Sequence, residues 1–171
     1  MPRLAREALC ASLVFGLATR PANAQSASMP SDTLARADLS WAMMSLSGER
    51  ITLEAFRGRV IIVNSWATWC EPCVAELRSL TALRAAVPDS ALVFVLVAPQ
   101  QRSPVQSFVQ RRGLRLPVYL EMAPAPAGYR FDAVPTTWVI DRAGRIALRR
   151  RGAMRWDTPT MQGFARRLLE R

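Results

Sequence analysis

The chain has 171 residues, 23 basic against 13 acidic, a formal charge of +10 and no histidine. That length suits one domain with a real core, and the missing imidazole excludes every mechanism that needs a histidine base, and most metal sites. All basic residues are arginine and, apart from Arg149-Arg150-Arg151, they are scattered, which reads as a solvated surface and not a nucleic-acid face.

The first segment reads as a secretory signal peptide over residues 1–24. Arg3 and Arg6 form a basic start, Ala8 to Ala18 an apolar stretch, and Ala22-Asn23-Ala24 a small-x-small cleavage site. The apolar stretch falls short of the about 20 residues a spanning helix needs; the competing reading is an uncleaved membrane anchor. Cleavage would remove Cys10 and leave Cys70 and Cys73 alone. An exported protein with two cysteines in C-x-x-C is expected to carry them as a pair, because that compartment oxidises thiols. Residues 25–38, rich in Ser, Ala and Pro, read as a flexible linker, and 39–171 as the folded domain.

Trp41 to Ser45 and Arg50 to Leu53, joined by Ser47-Gly48-Glu49, predict an N-terminal β-hairpin. Met43 and Met44 read as packing, ahead of copper ligation. Leu53 to Arg57 fits one helical turn stopped by Gly58. Val60 to Trp66, apolar on both faces except Asn64 and Ser65, predicts a central parallel strand. Asn64 then sits buried behind the cysteines, where it holds the loop or shapes the thiol environment. Leu77, Leu80, Leu83 and Val87 trace a helix closed by Pro88. Leu92 to Val97 predicts a second buried strand, and Ser103-Pro104 the cap and first residue of a helix ended by Gly113. Pro117 to Leu120 fits a short strand, and residues 121–128 (EMAPAPAG) are poor helix material. Thr136 to Ile140 and Ile146 to Arg150 predict an antiparallel pair. Thr158-Pro159 opens a last helix whose Met161, Phe164, Ala165, Leu168 and Leu169 form one apolar stripe. The order predicts an α/β domain: a central mixed β-sheet with helices on both faces.

The chemistry centres on Trp69-Cys70-Glu71-Pro72-Cys73, a strand-to-helix junction. The first turn of a helix offers unpaired N–H groups and partial positive charge, which favour a thiolate. Pro72 suits that turn because it gives up an N–H with no helical partner. Glu71 opposes the thiolate by charge, an effect of about 1 kcal/mol at 4 Å in water. Two thiols three positions apart can close and open a disulfide, so the motif reads as a redox dithiol.

These residues resemble the thioredoxin superfamily and, within it, the TlpA/ResA-like exported thiol-disulfide oxidoreductases. The resemblance runs from Leu39 to Leu169. It rests on Leu53…Phe56-Arg57-Gly58, Asn64-Ser65-Trp66-Ala67-Thr68-Trp69-Cys70-Glu71-Pro72-Cys73, Glu76, Tyr129…Val134-Pro135-Thr136-Thr137 and Ile140-Asp141-Arg142-Ala143-Gly144. It implies a thioredoxin-like fold and a periplasmic protein thiol-disulfide oxidoreductase, monomeric and without cofactor or metal. Cys70 is implied as the attacking thiol, Cys73 as the resolving thiol and Pro135 as a cis-proline beside them. Trp69, Glu71, Pro72 and the Val134 backbone are the implied partner contacts. Glu76 matches an acidic residue of cytochrome c maturation members, which makes it a proton acceptor for Cys73; its other reading is an exposed helix glutamate. The implied substrates are disulfides of exported proteins, such as apocytochrome c or copper-assembly proteins, with a membrane electron donor of the DsbD or CcdA type.

Two departures stand out. Arg78 replaces a helix-kinking proline of many relatives, so that helix is expected to run straight. EMAPAPAG replaces a stretch that is usually helical. A disulfide oxidant or isomerase, and a non-catalytic copper-binding chaperone on the same fold, remain as rivals.

Overall fold

Two apolar runs make the middle of the sheet. Val60–Ser65 (β3) and Leu92–Ala98 (β4) pair in parallel, Val60 against Leu92 through Ser65 against Val97. Every residue of β3 is buried, as a strand covered on both faces requires. The computed structural model describes residues 35–171; the expected signal segment and residues 25–34 lie outside the described residues.

Seven strands follow the order β2-β1-β5-β4-β3-β6-β7. The expected hairpin is β1 (Ala42–Ser45) with β2 (Arg50–Thr52), and β1 joins the sheet antiparallel to β5 (Val118–Glu121). On the other side β6 (Thr136–Ile140) lies antiparallel to β3 and leads through a turn to β7 (Ile146–Arg151). Gly144 takes φ 76° in that turn, a conformation that suits glycine because it lacks a Cβ. Ala35 to Ala37 belong to the paired chain as well: Ala37 N donates to Gly144 O and Ile146 N to Ala35 O, each at 2.9 Å. Backbone pairing therefore begins ahead of Leu39, inside the expected linker.

Strand alternation sorts the core into two layers. Val60, Ile62, Phe94 and Leu96 face α1 (Glu71–Ala86), α2 (Arg102–Arg112) and α3 (Pro159–Leu169), which supply Leu80, Leu83, Phe108 and Phe164. Ile61, Val63, Val95 and Val97 face the opposite layer, with Trp41, Leu53, Tyr129 and Trp138. Helical elements thus cover both faces unequally. Among the described residues, three α-helices pack on one, and the other has only the 3₁₀ turns Leu53–Phe56 and Ala127–Tyr129. EMAPAPAG forms no α-helix, and aromatic packing covers that face: Trp41 stacks on Tyr129 at 5.0 Å, and Trp138 meets Tyr129 edge-on at 5.6 Å.

Other local expectations resolve in detail. Met43 is fully buried, and Met44 packs against the core with its sulfur 3.1 Å from Arg102 Nη2, so both are packing residues. α1 continues unbroken past Arg78. Thr158 caps α3 by accepting from Met161 N at 3.3 Å. α2 differs: it starts at Arg102 with Gln101 as its N-cap, and Ser103 makes no cap. Pro104 is still within the first turn, where its missing N–H leaves no helical bond unmade.

Candidate active site

β3 ends at Ser65, and the chain leaves the sheet through Trp66 to Trp69 before entering α1. Cys70 is the N-cap of that helix, and Glu71 and Pro72 open it. Cys70 and Cys73 are joined by a disulfide. The Cys73 N–H donates to Cys70 Sγ at 3.2 Å, so the sulfur takes the place a Ser or Asp oxygen takes in an ordinary cap. Cys70 is 5% exposed and Cys73 1%, so Cys70 is the less covered of the two. Trp69 is 74% exposed beside it, and Glu71 and Pro72 lie on the same exposed rim.

Two loops frame the disulfide. The Val134–Pro135 peptide is cis, and the Val134 carbonyl oxygen lies 3.7 Å from Cys70 Sγ. Pro135 O accepts from Gly152 N at 2.8 Å, which ties this loop to the end of β7. Opposite, Gln100 clamps the cysteine loop: its Oε1 accepts from Thr68 N at 2.8 Å, and its Nε2 donates to Thr68 Oγ1 at 3.1 Å. Gln100 carries no local signal in the sequence, since its partner is remote along the chain.

Glu76 lies behind Cys73, one turn along α1. Residues at i and i+3 share a helix face, with Cβ atoms about 5–6 Å apart. Glu76 is 2% exposed, which overturns its reading as an exposed helix glutamate. Its Oε1 accepts from Trp156 Nε1 at 2.7 Å, Met154 N at 3.3 Å and Thr137 Oγ1 at 3.5 Å. Its Oε2 accepts from Asn64 Nδ2 at 3.0 Å. Asn64 also donates to Thr137 Oγ1 at 2.7 Å, so the buried amide of β3 is built into this network. Burial pushes the Glu76 carboxyl up, against the hydrogen bonds that pull it down. The carboxyl thus sits buried on the Cys73 side of the dithiol with its proton held more tightly than an exposed glutamate would hold it.

Trp156 was not evident from sequence as a site residue. It lies in the irregular stretch between β7 and α3 and is 1% exposed within the core, and its indole N–H makes the shortest hydrogen bond to Glu76. Among the described residues no three His, Cys, Asp or Glu side chains gather as a metal site would need.

The family model Redoxin matches residues 24–164. The chain belongs to the Redoxin family. This redoxin is similar to the thioredoxin-like protein YneN of Bacillus subtilis, 28% identical over 109 residues, covering 62% of this chain and 64% of that one. It is also similar to the thiol-disulfide oxidoreductase ResA of Bacillus thuringiensis, 29% identical over 103 residues, covering 59% and 60%. The match thus spans less than two thirds of the length of these curated relatives. Among solved structures, the redoxin is similar to a thioredoxin-family thiol:disulfide interchange protein from Chlorobium tepidum, with TM-score 0.66 and 24% identity over 80% of this chain and 99% of that one. StoA from Bacillus subtilis gives TM-score 0.60 and 23% identity over 72% and 93%. The fold is thioredoxin-like.

Proposed function

We propose that this redoxin is a thiol-disulfide oxidoreductase that reduces disulfides in exported partner proteins. The observation that carries the reading is the setting of the Cys70 sulfur. Among the described residues, the polar backbone groups beside it are one N–H donor, Cys73 N, and the Val134 carbonyl oxygen. The helix start favours a thiolate, while the carbonyl oxygen and the Glu76 carboxylate behind Cys73 oppose it. A strong oxidant needs its reduced form stabilised; this setting does so weakly and points to a reducing couple.

The reaction balances as follows. The Cys70 thiolate attacks a partner disulfide, and one partner sulfur leaves as a thiolate. Cys73 loses its proton to the Glu76 carboxylate and attacks Cys70 Sγ. The second partner sulfur is released, and two electrons have passed from the dithiol to the partner. The Val134 backbone, beside the cis bond, pairs with the partner strand, while Trp69, Glu71 and Pro72 form the rim it meets. Re-reduction in an oxidising compartment needs electrons from outside it, consistent with a membrane donor of the DsbD or CcdA type. Relatives named thiol-disulfide oxidoreductase support this reading; the resemblance adds apocytochrome c or copper-assembly proteins as substrates and the periplasm as the setting.

Cys73→Ser is expected to trap partners on Cys70 as stable mixed disulfides, separable by non-reducing electrophoresis. A folded variant that traps none would sink the proposal. The reduction potential of the pair decides direction: about −270 mV fits a reductant, and about −120 mV an oxidant. If no reversible couple appears and the reduced protein binds Cu(I) tightly, the chaperone reading replaces it.

A further inference from the structure

Arginines gather beside the cis-proline loop. Arg149 and Arg151 lie two residues apart on β7, opposite Trp138 and Thr136, so they share one face of the sheet. Arg130 joins them from the preceding loop: Arg149 Nη2 donates to Arg130 O at 2.9 Å. The Arg149 guanidinium also sits 5.9 Å from the Trp138 ring centroid, which holds it in place. Together with Phe131, Asp132 and Thr136, these arginines line a surface depression of about 550 Å³. A second depression, of about 880 Å³, shares Arg130 and Phe131 and continues past Met122 to Gln100. Gln100 is the residue that clamps Thr68 of the cysteine loop. The surface therefore reaches both loops that frame the dithiol, through Thr136 next to Pro135 and through Gln100, bonded to Thr68.

We propose that this surface docks an acidic segment of the partner protein, flanking the disulfide that Cys70 attacks. The inference rests on the oxidoreductase reading above. Charge complementarity selects the occupant. Asp132 is the one carboxylate lining the first depression, and Arg151 pairs with it at 3.1 Å. Glu121, in the second, has Oε1 taken by Ala125 N. Arg130 and Arg149 have no carboxylate partner among the described residues. β7 is the last strand of the sheet, and arginines there also discourage strand addition. That role does not account for Arg130, which lies off the edge strand. Exposed Met122 and the irregular chain between β5 and the 3₁₀ turn at Ala127–Tyr129 leave room for an extended chain to run from the arginines toward Gln100.

The test uses the reduced full chain and two peptide disulfides, identical except for Asp or Lys residues flanking the cysteine. At low ionic strength the acidic peptide is expected to be reduced at least about tenfold faster, within the range steering can supply. The ratio should fall toward one in high salt, where charges are screened beyond about 3 Å. It should collapse in R130E/R151E and rise in D132R, each confirmed folded by its melting curve. Brisk reduction of both peptides at equal rates, or a ratio that the substitutions leave unmoved, would overturn the docking surface alone. Failure to reduce either peptide would overturn the oxidoreductase reading, and this inference with it.

Discussion

Glu76 accepts four hydrogen bonds, yet its carboxyl is pushed above the ordinary 4.5. Burial outweighs the donors, because a charge taken from water is costly even when hydrogen-bonded. The sign for stability follows. Glu76 binds its proton more tightly folded than unfolded, so its contribution is full below the unfolded value near 4.5. It is lost as pH rises through the raised folded value. Oxidised wild-type protein is therefore expected to lose stability over that window in urea titrations, and Glu76→Gln to lack the slope. Asn64 makes that variant foldable. Its Oδ1 is buried without a partner, and a half-turn of its amide would set that oxygen against the new Gln N–H. The variant is also expected to resolve mixed disulfides about 100-fold more slowly, the scale of a lost proton acceptor, so the Cys70-linked intermediate should accumulate. Unchanged resolution would remove Glu76 from the mechanism.

At the scale of elements, the aromatic layer carries the face that has no α-helix among the described residues. Tyr129 is fully buried against Trp41 and Trp138, and its phenol is pushed up by burial and, second, by Asp38. It stays protonated, and its hydroxyl is buried without a partner. Two substitutions separate these effects. Tyr129→Ala is expected to cost about 3–5 kcal/mol, as for other buried aromatics. Tyr129→Phe, which keeps the ring and removes the unpaired hydroxyl, should be neutral or stabilising. A large loss in the Phe variant, measured by chemical denaturation, would mean that the hydroxyl has a partner in solution. The same layer shows where sequence reasoning stops. β3 and β4 are legible because an apolar run of that length suits a buried strand. α3 is legible because Thr158-Pro159 and a 3.6-residue stripe agree. The dithiol is legible because Cys70, Pro72 and Cys73 are neighbours in the chain. Trp156 and Gln100 are not, because each gains its role from a partner far along the sequence. The start of α2 lies two residues earlier than Ser103-Pro104 suggests, because Pro104 is tolerated at several first-turn positions.

For the whole molecule, the direction of electron flow and the stability of the fold are one quantity. Reduced and oxidised forms, each folded and unfolded, close a thermodynamic cycle. A dithiol whose potential lies below that of the unfolded pair must have a disulfide that stabilises the folded state. One whose potential lies above it must be destabilised by its disulfide, and for a two-electron couple about 30 mV corresponds to 1.4 kcal/mol. The surroundings of Cys70 give the folded thiolate one N–H donor and one opposing carbonyl, so little holds the reduced form. The chain has no histidine whose imidazolium could change that balance. The oxidised protein is therefore expected to be the more stable form by about 1–2 kcal/mol, which also fits closure of so short a loop. For a domain of this size that is a melting temperature higher by about 2–8 °C, read by calorimetry on the fully reduced and fully oxidised chains. The opposite order would place the couple among oxidants and reverse the direction of the proposed reaction while leaving its cysteine roles in place.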